Sequence, residues 1–477
     1  ILFIKGILIS NMYRYILYIQ IIIVILLCYS FYRGNLMKKY QIVADLLIQY
    51  IDDGYYTSRL PNIREMMKFF DVSQSTINQA LRQLIKLNKI YNKPNIGYFI
   101  ITKNPNNFDT NDYFDFSTSS TSWTDFPFES YIQCLETSFQ NEKQHLFTYG
   151  SVTGSNLLKQ SFKSILEDDQ IFTKEEQIVI TNGTQQALHI LSLMIINNNE
   201  KILVEQPTYH QMNNLIERLN MNYTIYSRNL DDINILEFEN VIKSDRPKYV
   251  YLMPRLHNPL GTTMKETDKI SLLKMANKYD FYIIEDDYLG DFEQKNSYKS
   301  IYEMDNNERV IYLKSFSKIM FPGQRLGLVV LPIKLIQKFL DIKEIVDIQT
   351  NVISQSIMQT FITSGLYNYH KNNIIDKHRQ KVNVLRQSLN KHFTNYEFND
   401  NHKMHTVIKL PKTINMNSLY NNLYKSKILV DDYQKNYIKN FKNNYKFLKL
   451  NTTNIAENKI DIGLQLIKKC INSSKSF

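Results

Sequence analysis

The sequence predicts an α/β protein with two parts, a small helical module with a β-wing followed by a large part built on a mainly parallel sheet. The small module is predicted by helical apolar periodicity that a turn and a helix cap interrupt between residues 60 and 86. The large part is predicted by short apolar runs that alternate with helical patterns between residues 177 and 332. Such alternation requires crossover connections and therefore favours a parallel sheet covered on both faces.

The composition is that of a globular chain long enough for two or three domains. The 477 residues are 43% hydrophobic and 22% charged, and 13 glycines with 11 prolines exclude a collagen-like or linker protein. The net charge of +11 is weak evidence for nucleic-acid binding, because the codons of an AT-rich genome also enrich lysine. Cys28, Cys134 and Cys470 are too scattered for a disulfide framework. We therefore expect a reducing, cytoplasmic location and no metal site.

Residues 1–36 contain an apolar run, 15–32, that is nearly long enough to span a bilayer. One interpretation is a membrane anchor, which would tether the protein to a membrane. The interpretation that we favour is that the segment is not native, because Met37 opens a well-formed helical pattern. A signal peptide is disfavoured because no small-residue cleavage site follows the run. We therefore expect no contact with a membrane.

Residues 37–101 contain successive helical patterns and then two β-patterned runs around a turn, the shape of a wing. The second helix is expected after Pro61-Asn62, Asp71-Val72 makes a tight turn, and Ser73 is a good N-cap for the third helix. The apolar side chains expected to face inward from the third helix are Ile77, Leu81, Leu84 and Ile85. The polar side chains expected to face outward are Gln74, Ser75, Asn78 and Arg82.

This order of elements is typical of modules that lay a recognition helix in the major groove of DNA. Nine Lys and Arg against five Asp and Glu give residues 37–101 a net charge of +4, which suits contacts with phosphates. The alternative is a helical interaction module without a DNA role. We favour DNA binding because turn, cap and wing occur together in the right order. Residues 102–111 are polar, carry turn formers and are interpreted as a short linker.

The large part, 112–477, contains seven apolar runs that we interpret as buried strands. These runs are 177–181, 201–206, 223–227, 248–254, 281–286, 309–315 and 326–332. Ligands of such sheets bind beyond the carboxyl ends of the strands, so the polar residues at those ends are the candidates for a site. They are Thr184 and Gln185, Tyr209, Asn258, Asp286 and Tyr288, and then Ser315, Ser317, Lys318 and Arg325.

These residue types fit a ligand that is anionic, flat and reactive as a carbonyl. Backbone amides at a helix start, such as those of Thr184 and Gln185, and the guanidinium of Arg325 bind phosphate. A lysine such as Lys318 forms a Schiff base with an aldehyde, and a carboxylate such as Asp286 keeps a pyridine nitrogen protonated. Each residue alone has an ordinary explanation as a loop, a cap or packing. Their joint occurrence at successive strand ends points to pyridoxal phosphate.

Two resemblances to known families follow from longer motifs. "LPNIREMM", "VSQSTINQAL" and "IGYFI" resemble the winged helix of the GntR regulators. Residues 112–470 resemble a fold-type I aminotransferase of class I/II in "YGSVTG", "TNGTQQAL", "PTYH", "HNPLG", "IIEDDY" and "SFSKIMFPGQRLG". Together, 37–477 resembles the MocR (GabR-like) transcription regulators, in which an aminotransferase-like domain senses pyridoxal phosphate or an amino compound. The resemblance implies a fold-type I transferase-like domain with a smaller C-terminal subdomain.

The resemblance also implies roles for single residues. Lys318 would bond the cofactor aldehyde, Asp286 would pair with the ring nitrogen and Tyr209 would stack on the ring. Asn258 and Tyr288 would bind the ring hydroxyl, and Ser315, Ser317, Arg325 and the amides of Thr184 and Gln185 would hold the phosphate. Tyr149 would reach the phosphate in a partner subunit, which implies a homodimer. Arg64, Ser73, Thr76 and Gly97 fall on positions that face DNA.

The sequence departs from these families at several positions. Gln74 and Asn78 stand where GntR proteins often have arginine. Lys449 stands where aminotransferases clamp the substrate carboxylate with an arginine, and Gln211 replaces an arginine found in GabR-like proteins. Because a lysine offers one point charge and no fork, we expect at most a slow half-transamination. The leading hypothesis is thus a DNA-binding regulator that depends on pyridoxal phosphate, and the alternative is a working aminotransferase with a helical module.

Overall fold

The structure, a computed structural model, describes residues 38–94, 96–101, 113–120, 122–229, 233–292, 298–399, 405–442 and 445–475. The chain forms two compact units, Ile1–Asp109 and Thr110–Phe477. The apolar run 15–32 and the predicted linker 102–111 lie outside the described residues. Within the described ranges, no helix has both the length and the apolar character needed to cross a membrane.

Within the described part of the N-terminal unit, 38–94 and 96–101, the chain forms three helices and a two-stranded antiparallel wing. These are α1 (Lys39–Asp52), α2 (Ile63–Phe70), α3 (Gln74–Lys86), β1 (Ile90–Lys93) and β2 (Gly97–Ile100). Asn62 caps α2 through its side chain, which accepts from the Glu65 amide, and Asp71 ends α2 with a left-handed φ of 50°. Ser73 caps α3 as expected, since its hydroxyl accepts from the Thr76 amide at 3.3 Å.

The core of this unit explains the spacing of the apolar residues. Ile77, Leu81 and Leu84 of α3 are buried against α1 and α2, whereas Ile85, which was expected to face inward, is 38% exposed. Eight residues correspond to about 80° of rotation around a helix, so Ile85 lies at the edge of the stripe that Ile77 begins. The inward prediction for Ile85 was therefore wrong.

The large unit is built on a seven-stranded sheet. It begins with β3 (Phe114–Asp115), α4 (Phe128–Asn141) and α5 (Asn156–Asp168). The sheet strands are β4 (Ile178–Thr181), β5 (Ile202–Gln206), β6 (Tyr223–Ser227), β7 (Tyr249–Leu252), β8 (Tyr282–Asp287), β9 (Val310–Ser315) and β10 (Gly327–Val330). Their order is β4-β10-β9-β8-β7-β5-β6, and only β10 runs antiparallel to its neighbours. The prediction of a mainly parallel sheet is confirmed.

Helices cover both faces of this sheet. They are α6 (Thr184–Asn197), α7 (His210–Arg218), α8 (Ile235–Asp245), α9 (Glu266–Tyr279), α10 (Ile301–Met304), α11 (Ile333–Asp347), α12 (Val352–Thr363) and α13 (Leu366–His392). Val329 of β10 packs in the core that contains α6, whereas its neighbours Leu328 and Val330 pack in the core that contains α5. Successive side chains thus enter opposite cores, which explains why these strands are apolar without alternation.

A smaller C-terminal subdomain follows. It contains β11 (His405–Lys409), α14 (Met416–Lys425), β12 (Ile428–Leu429), β13 (Phe447–Asn451) and α15 (Glu457–Asn472). β11 pairs antiparallel with β13, and β12 pairs parallel with β3 from the start of the unit. Phe116, which follows β3, is buried in the core of this subdomain with Leu448 and Leu464. The first residues of the unit therefore fold together with its last ones.

Candidate cofactor site

A cavity of about 340 Å³ lies beyond the carboxyl ends of the strands, between the sheet and the C-terminal subdomain. Among the residues named from the sequence, it is lined by Thr184, Tyr209, Asn258, Asp286, Tyr288, Ser315, Ser317, Lys318 and Lys449. Gln185 and Arg325 line a neighbouring open groove. Tyr149 lies at the surface with 83% of its area exposed.

Lys318 enters the cavity from the turn that follows β9. Its Nζ donates to the backbone oxygen of Ser119 at 2.8 Å and to the Ser119 hydroxyl at 2.6 Å. Loss of hydration in the cavity lowers the pKa of Lys318 to about 8, although the charge of Asp431 acts in the opposite direction. Part of this side chain is therefore a neutral amine near physiological pH, the form that attacks a carbonyl carbon.

Asp286 lies near the end of β8 and has one unused acceptor. Its Oδ2 accepts from the Tyr251 hydroxyl at 2.8 Å, whereas its buried Oδ1 has no hydrogen-bond partner. Burial, together with the negative charge of Asp287, raises the pKa of Asp286 to about 7 despite the bond from Tyr251. A buried carboxylate oxygen without a donor is costly, so the site fits a ligand that brings an N–H group to this position.

One side of the cavity is formed around the start of α6. Gly183 caps this helix with a left-handed φ of 78°, and a Cβ there would lie 3.0 Å from the Arg325 guanidinium. A Cβ on Gly327 would lie 2.8 Å from the backbone nitrogen of Thr184, so glycine is needed for this close approach. Ser315 and Ser317 bond each other through their hydroxyls at 2.9 Å. The start of α6 and the two serine hydroxyls thus border the cavity, and the Arg325 guanidinium lies beside Gly183 at the neighbouring groove. Helix amides, hydroxyls and guanidinium groups are all able to bind phosphate.

Lys449 of β13 reaches the cavity from the opposite side. Its Nζ donates to Asn258 Oδ1 at 2.8 Å, which leaves the Asn258 amide hydrogens as the donors for a ligand. Burial lowers the pKa of Lys449 to about 7, with Asp431 opposing and Lys318 adding to the effect. The Tyr288 hydroxyl donates to the backbone oxygen of Leu256 at 3.0 Å.

The cavity also contains residues that sequence reasoning did not assign. They are Ser117, Ser119, His210, Met253, His405, Asp431, Lys435 and Asn436. His210 belongs to the quoted "PTYH" motif, so its position was a usable signal. Asp431 and Lys435, which pair at 2.7 Å, lie in a stretch that reads as an ordinary polar loop. Ser119 precedes the sheet by many residues, and nothing in its local sequence indicates the cavity.

The candidate DNA-facing residues lie in the N-terminal unit. Gln74, Ser75 and Arg82 of α3 are exposed, Asn78 is half-buried, and Arg64 of α2 is exposed. The hydroxyl of Ser73 bonds that of Thr76 at 3.0 Å, so both belong to the helix cap. Gly97 begins β2 with φ of +130°, and a Cβ there would lie 3.0 Å from Arg59. Arg59 also bonds the Ile96 carbonyl and lies over the Phe99 ring, which ties the wing to the chain before α2.

Comparison with known proteins covers both units. The family "Aminotransferase class I and II" matches residues 104–465, and "Bacterial regulatory proteins, gntR family" matches residues 39–100. An uncharacterized HTH-type transcriptional regulator of Bacillus subtilis, YcxD, is 34% identical over 90% of this chain and 99% of its own length. A probable rhizopine catabolism regulatory protein of Rhizobium meliloti, MocR, is 27% identical over 54% of this chain and 52% of its own.

A solved structure shows the same fold in the large unit. The kynurenine aminotransferase of Pyrococcus horikoshii superposes with a TM-score of 0.71 at 24% identity, over 83% of this chain and 95% of that one. Aminotransferases of this class use pyridoxal phosphate, and the unused Asp286 oxygen, the amine of Lys318 and the start of α6 beside Gly183 and Gly327 fit this cofactor. The chain therefore belongs to the MocR-like transcription regulators, in which a GntR-type DNA-binding domain is joined to an aminotransferase class I and II domain.

Proposed function

We propose that pyridoxal phosphate, and a small amino compound that reacts at the same place, change the affinity of the N-terminal unit for DNA. The observation that carries this proposal is the joint presence, in one cavity, of the Lys318 amine and the buried Asp286 oxygen that lacks a donor. An arrangement of this kind is costly when it is empty, because both groups have lost hydration. A ligand that brings both an aldehyde and a ring N–H would satisfy them together.

Each residue has a role towards this cofactor under the proposal. When bound, the cofactor supplies an electron sink that stabilises negative charge on a carbon next to an amine. Asp286 accepts the ring N–H, and Tyr209 lies against the ring. Lys318 supplies the nucleophilic nitrogen. Asn258 and Tyr288 face the ring hydroxyl, and Ser315, Ser317, Arg325 and the amides of Thr184 and Gln185 hold the phosphate.

The effector is proposed to be an amino compound with an acidic group that contacts Lys449. This lysine offers a single nitrogen, it is buried, and its pKa of about 7 means that it is only partly charged near neutral pH. An arginine would stay charged and would hold a carboxylate with two parallel bonds. Weaker capture of the acidic group favours sensing of the effector over rapid conversion.

DNA contact is assigned to the exposed side of α3 and to the wing. Gln74, Ser75, Asn78 and Arg82 would face base edges or phosphates of the major groove, while Ser73 and Thr76 hold the start of the helix. Arg64 and the backbone at Gly97 would contact phosphates. We also propose a cytoplasmic location, because the DNA partner is there.

We propose that the large unit acts as a homodimer. Phe147, Tyr149 and Ile345 are apolar or aromatic side chains with 91%, 83% and 87% of their area exposed. The Gly150 amide donates to the Gln349 side chain, which brings the segment that carries Phe147 and Tyr149 close to the end of α11, the helix that carries Ile345. Large exposed side chains in one area are typical of a subunit interface. Sedimentation of Ile345→Asp should give a smaller species than the wild type, and an unchanged dimer would contradict this assignment.

The proposed function is tested by capture of fragmented genomic DNA with the full chain. The capture is done without cofactor, with pyridoxal phosphate, and with the Lys318→Ala variant. We expect a small set of sites whose occupancy changes several-fold with cofactor in the wild type and does not change in Lys318→Ala. A chain that binds no DNA, or binds the same sites equally with and without cofactor, would refute the proposal.

The second candidate is a working aminotransferase, which the presence of Lys318, Asp286, Asn258 and Tyr209 in one cavity favours. Steady turnover of an amino acid with a 2-oxo acid at ordinary enzymatic rates would support this candidate. The discriminating variant is Lys449→Arg, which places at the same position a guanidinium that can bind a substrate carboxylate with two parallel hydrogen bonds. A large gain in turnover would identify carboxylate capture as the missing element, while no gain would leave the sensor as the better description.

A further inference from the structure

We propose that Ser119 is a positioning residue for Lys318. Ser119 accepts two hydrogen bonds from the lysine amine and loses both when the amine bonds an aldehyde. The inference rests on the proposed function, because it concerns the same lysine. Ser119 lies outside the family motifs quoted above. The inference also predicts that the segment around Ser119 responds when Lys318 bonds an aldehyde.

Ser119 offers two acceptors to the Lys318 amine. Both acceptors of Ser119, its backbone oxygen and its hydroxyl, lie within 2.8 Å of the Lys318 nitrogen. Both residues line the cavity, so the contact is made inside the site. Because burial lowers the pKa of Lys318 to about 8, about a tenth of it is neutral at pH 7. A neutral amine has two hydrogens, the same number as the acceptors that Ser119 presents.

Ser119 is held in place by the residues before it. Asp115 Oδ1 accepts from the Ser117 amide at 2.9 Å, from its hydroxyl at 2.7 Å and from the Thr118 amide at 3.0 Å. The backbone oxygens of Ser117 and Thr118 accept from the side chains of Asn451 and Thr453, both at 2.8 Å. The segment is thus fastened to the C-terminal subdomain up to the residue that precedes Ser119, which gives the serine a fixed position.

This contact orients the reactive electron pair. When both hydrogens of the neutral amine are directed at Ser119, the lone pair of nitrogen lies on the side away from it. The lone pair of Lys318 adds to an aldehyde carbon, the carbonyl oxygen leaves as water with the two hydrogens of the amine, and a carbon–nitrogen double bond remains. The hydrogens that Ser119 held are the ones that leave, so both hydrogen bonds end in this step.

The kinetic test measures how fast the cofactor-free full chain captures pyridoxal phosphate, followed by visible absorbance across pH 6 to 9. Ser119→Ala keeps the backbone acceptor and removes the hydroxyl, so capture at high pH should slow by about three- to tenfold, the value of one hydrogen bond. Loss of an acceptor also favours the neutral amine, so the midpoint of the pH profile should move to lower pH. Ser119→Thr, which keeps a hydroxyl, should restore both.

The matched control is Ser122→Ala. The Ser122 hydroxyl bonds that of Thr124 at 2.8 Å, and its loss should leave the capture rate and the pH profile unchanged. A general loss of structure would lower the captured fraction without moving the midpoint. Wild-type rates and an unmoved midpoint in Ser119→Ala would overturn the proposal.

Hydrogen exchange gives a readout that is independent of reaction rate. Pyridoxal phosphate should increase exchange in the stretch 117–120 of the wild type, because the bonds to Ser119 end. Pyridoxamine phosphate, which has no aldehyde, should not. Equal effects of the two compounds would overturn the inference, because the covalent bond would then not be the cause. If borohydride trapping finds no cofactor on Lys318 in any variant, the proposed function itself fails, whereas trapping with unchanged exchange refutes only the role of Ser119.

Discussion

Lys449→Met tests the electrostatic description of the cavity most directly. Lys449 is 7% exposed, and burial lowers its pKa from the usual 10.5 to about 7. Because one pKa unit corresponds to about 1.4 kcal/mol, burial of the charged form costs up to about 5 kcal/mol relative to the neutral form. Methionine has a similar length and no charge, so the variant removes this cost. It also removes the donor to Asn258 Oδ1, a loss of about 1–3 kcal/mol.

The pH dependence has a definite sign. Between pH 7 and pH 10.5 the unfolded lysine holds a proton that the folded one has lost. The unfolded state therefore binds more protons, and stability rises with pH in this window. From pH 7 to pH 9 the contribution of Lys449 to the free energy of unfolding should rise by about 2 kcal/mol. Lys449→Met should be more stable than the wild type at pH 7 and should lose this advantage towards pH 9.

The assay is urea unfolding of the cofactor-free full chain at pH 7 and pH 9, followed by circular dichroism. Other groups also titrate in this range, so the quantity of interest is the difference between wild type and variant at each pH. Lys338→Met, which changes an exposed lysine of α11, is the matched control and should show no such difference. A difference between wild type and Lys449→Met that is the same at both pH values would refute the reasoning.

Three further changes test other parts of the structure. Ser73→Ala removes the cap of α3 and should lower the stability of the N-terminal unit by about 1 kcal/mol in thermal unfolding, with DNA affinity falling in parallel. Arg228→Met leaves the fully buried Glu205, which Arg228 contacts at 2.5 Å, without its counter-charge, and should cost about 3–5 kcal/mol in urea unfolding. Asp286→Asn removes the carboxylate that we propose accepts the ring N–H, and it should weaken binding of pyridoxal phosphate by about ten- to a hundredfold in an absorbance titration.

Each of these results has a clear opposite. An unchanged melting temperature in Ser73→Ala would mean that the Ser73 cap does not contribute to the stability of the N-terminal unit. Wild-type stability of Arg228→Met would show that Glu205 takes up a proton at little cost. If Asp286→Asn binds the cofactor with the affinity of the wild type, Asp286 does not contribute to cofactor binding. Lys338→Met, which changes an exposed lysine of α11, serves as a neutral comparison for all three.

Much of the fold was predictable because its signals are local. The strand runs are apolar on both faces since the sheet is covered on both sides, and all but the edge strand β6 are almost fully buried. The helix cap at Ser73 and the glycine turn at Gly183 depend on residues a few positions away, so their short motifs were sufficient. The prediction for Ile85 was wrong because this residue lies at the edge of the apolar face of α3. For a residue at such an edge, burial depends on the packing of neighbouring elements and not on the helical periodicity.

The pairings across the cavity could not be predicted in the same way. Lys318 meets Ser119, and Lys449 meets Asn258, over sequence separations of 199 and 191 residues. No periodicity connects such positions. The Lys318 contact depends on the first residues of the large unit packing near the end of β9, and the Lys449 contact depends on β13 packing against the loop after β7. The altered pKa values follow from the same packing, since a side chain loses its hydration only where distant segments close around it. Residue types and their order along the chain were enough for the family and the chemistry, whereas the position of Ser119 and the protonation of the two lysines emerged only from the folded chain.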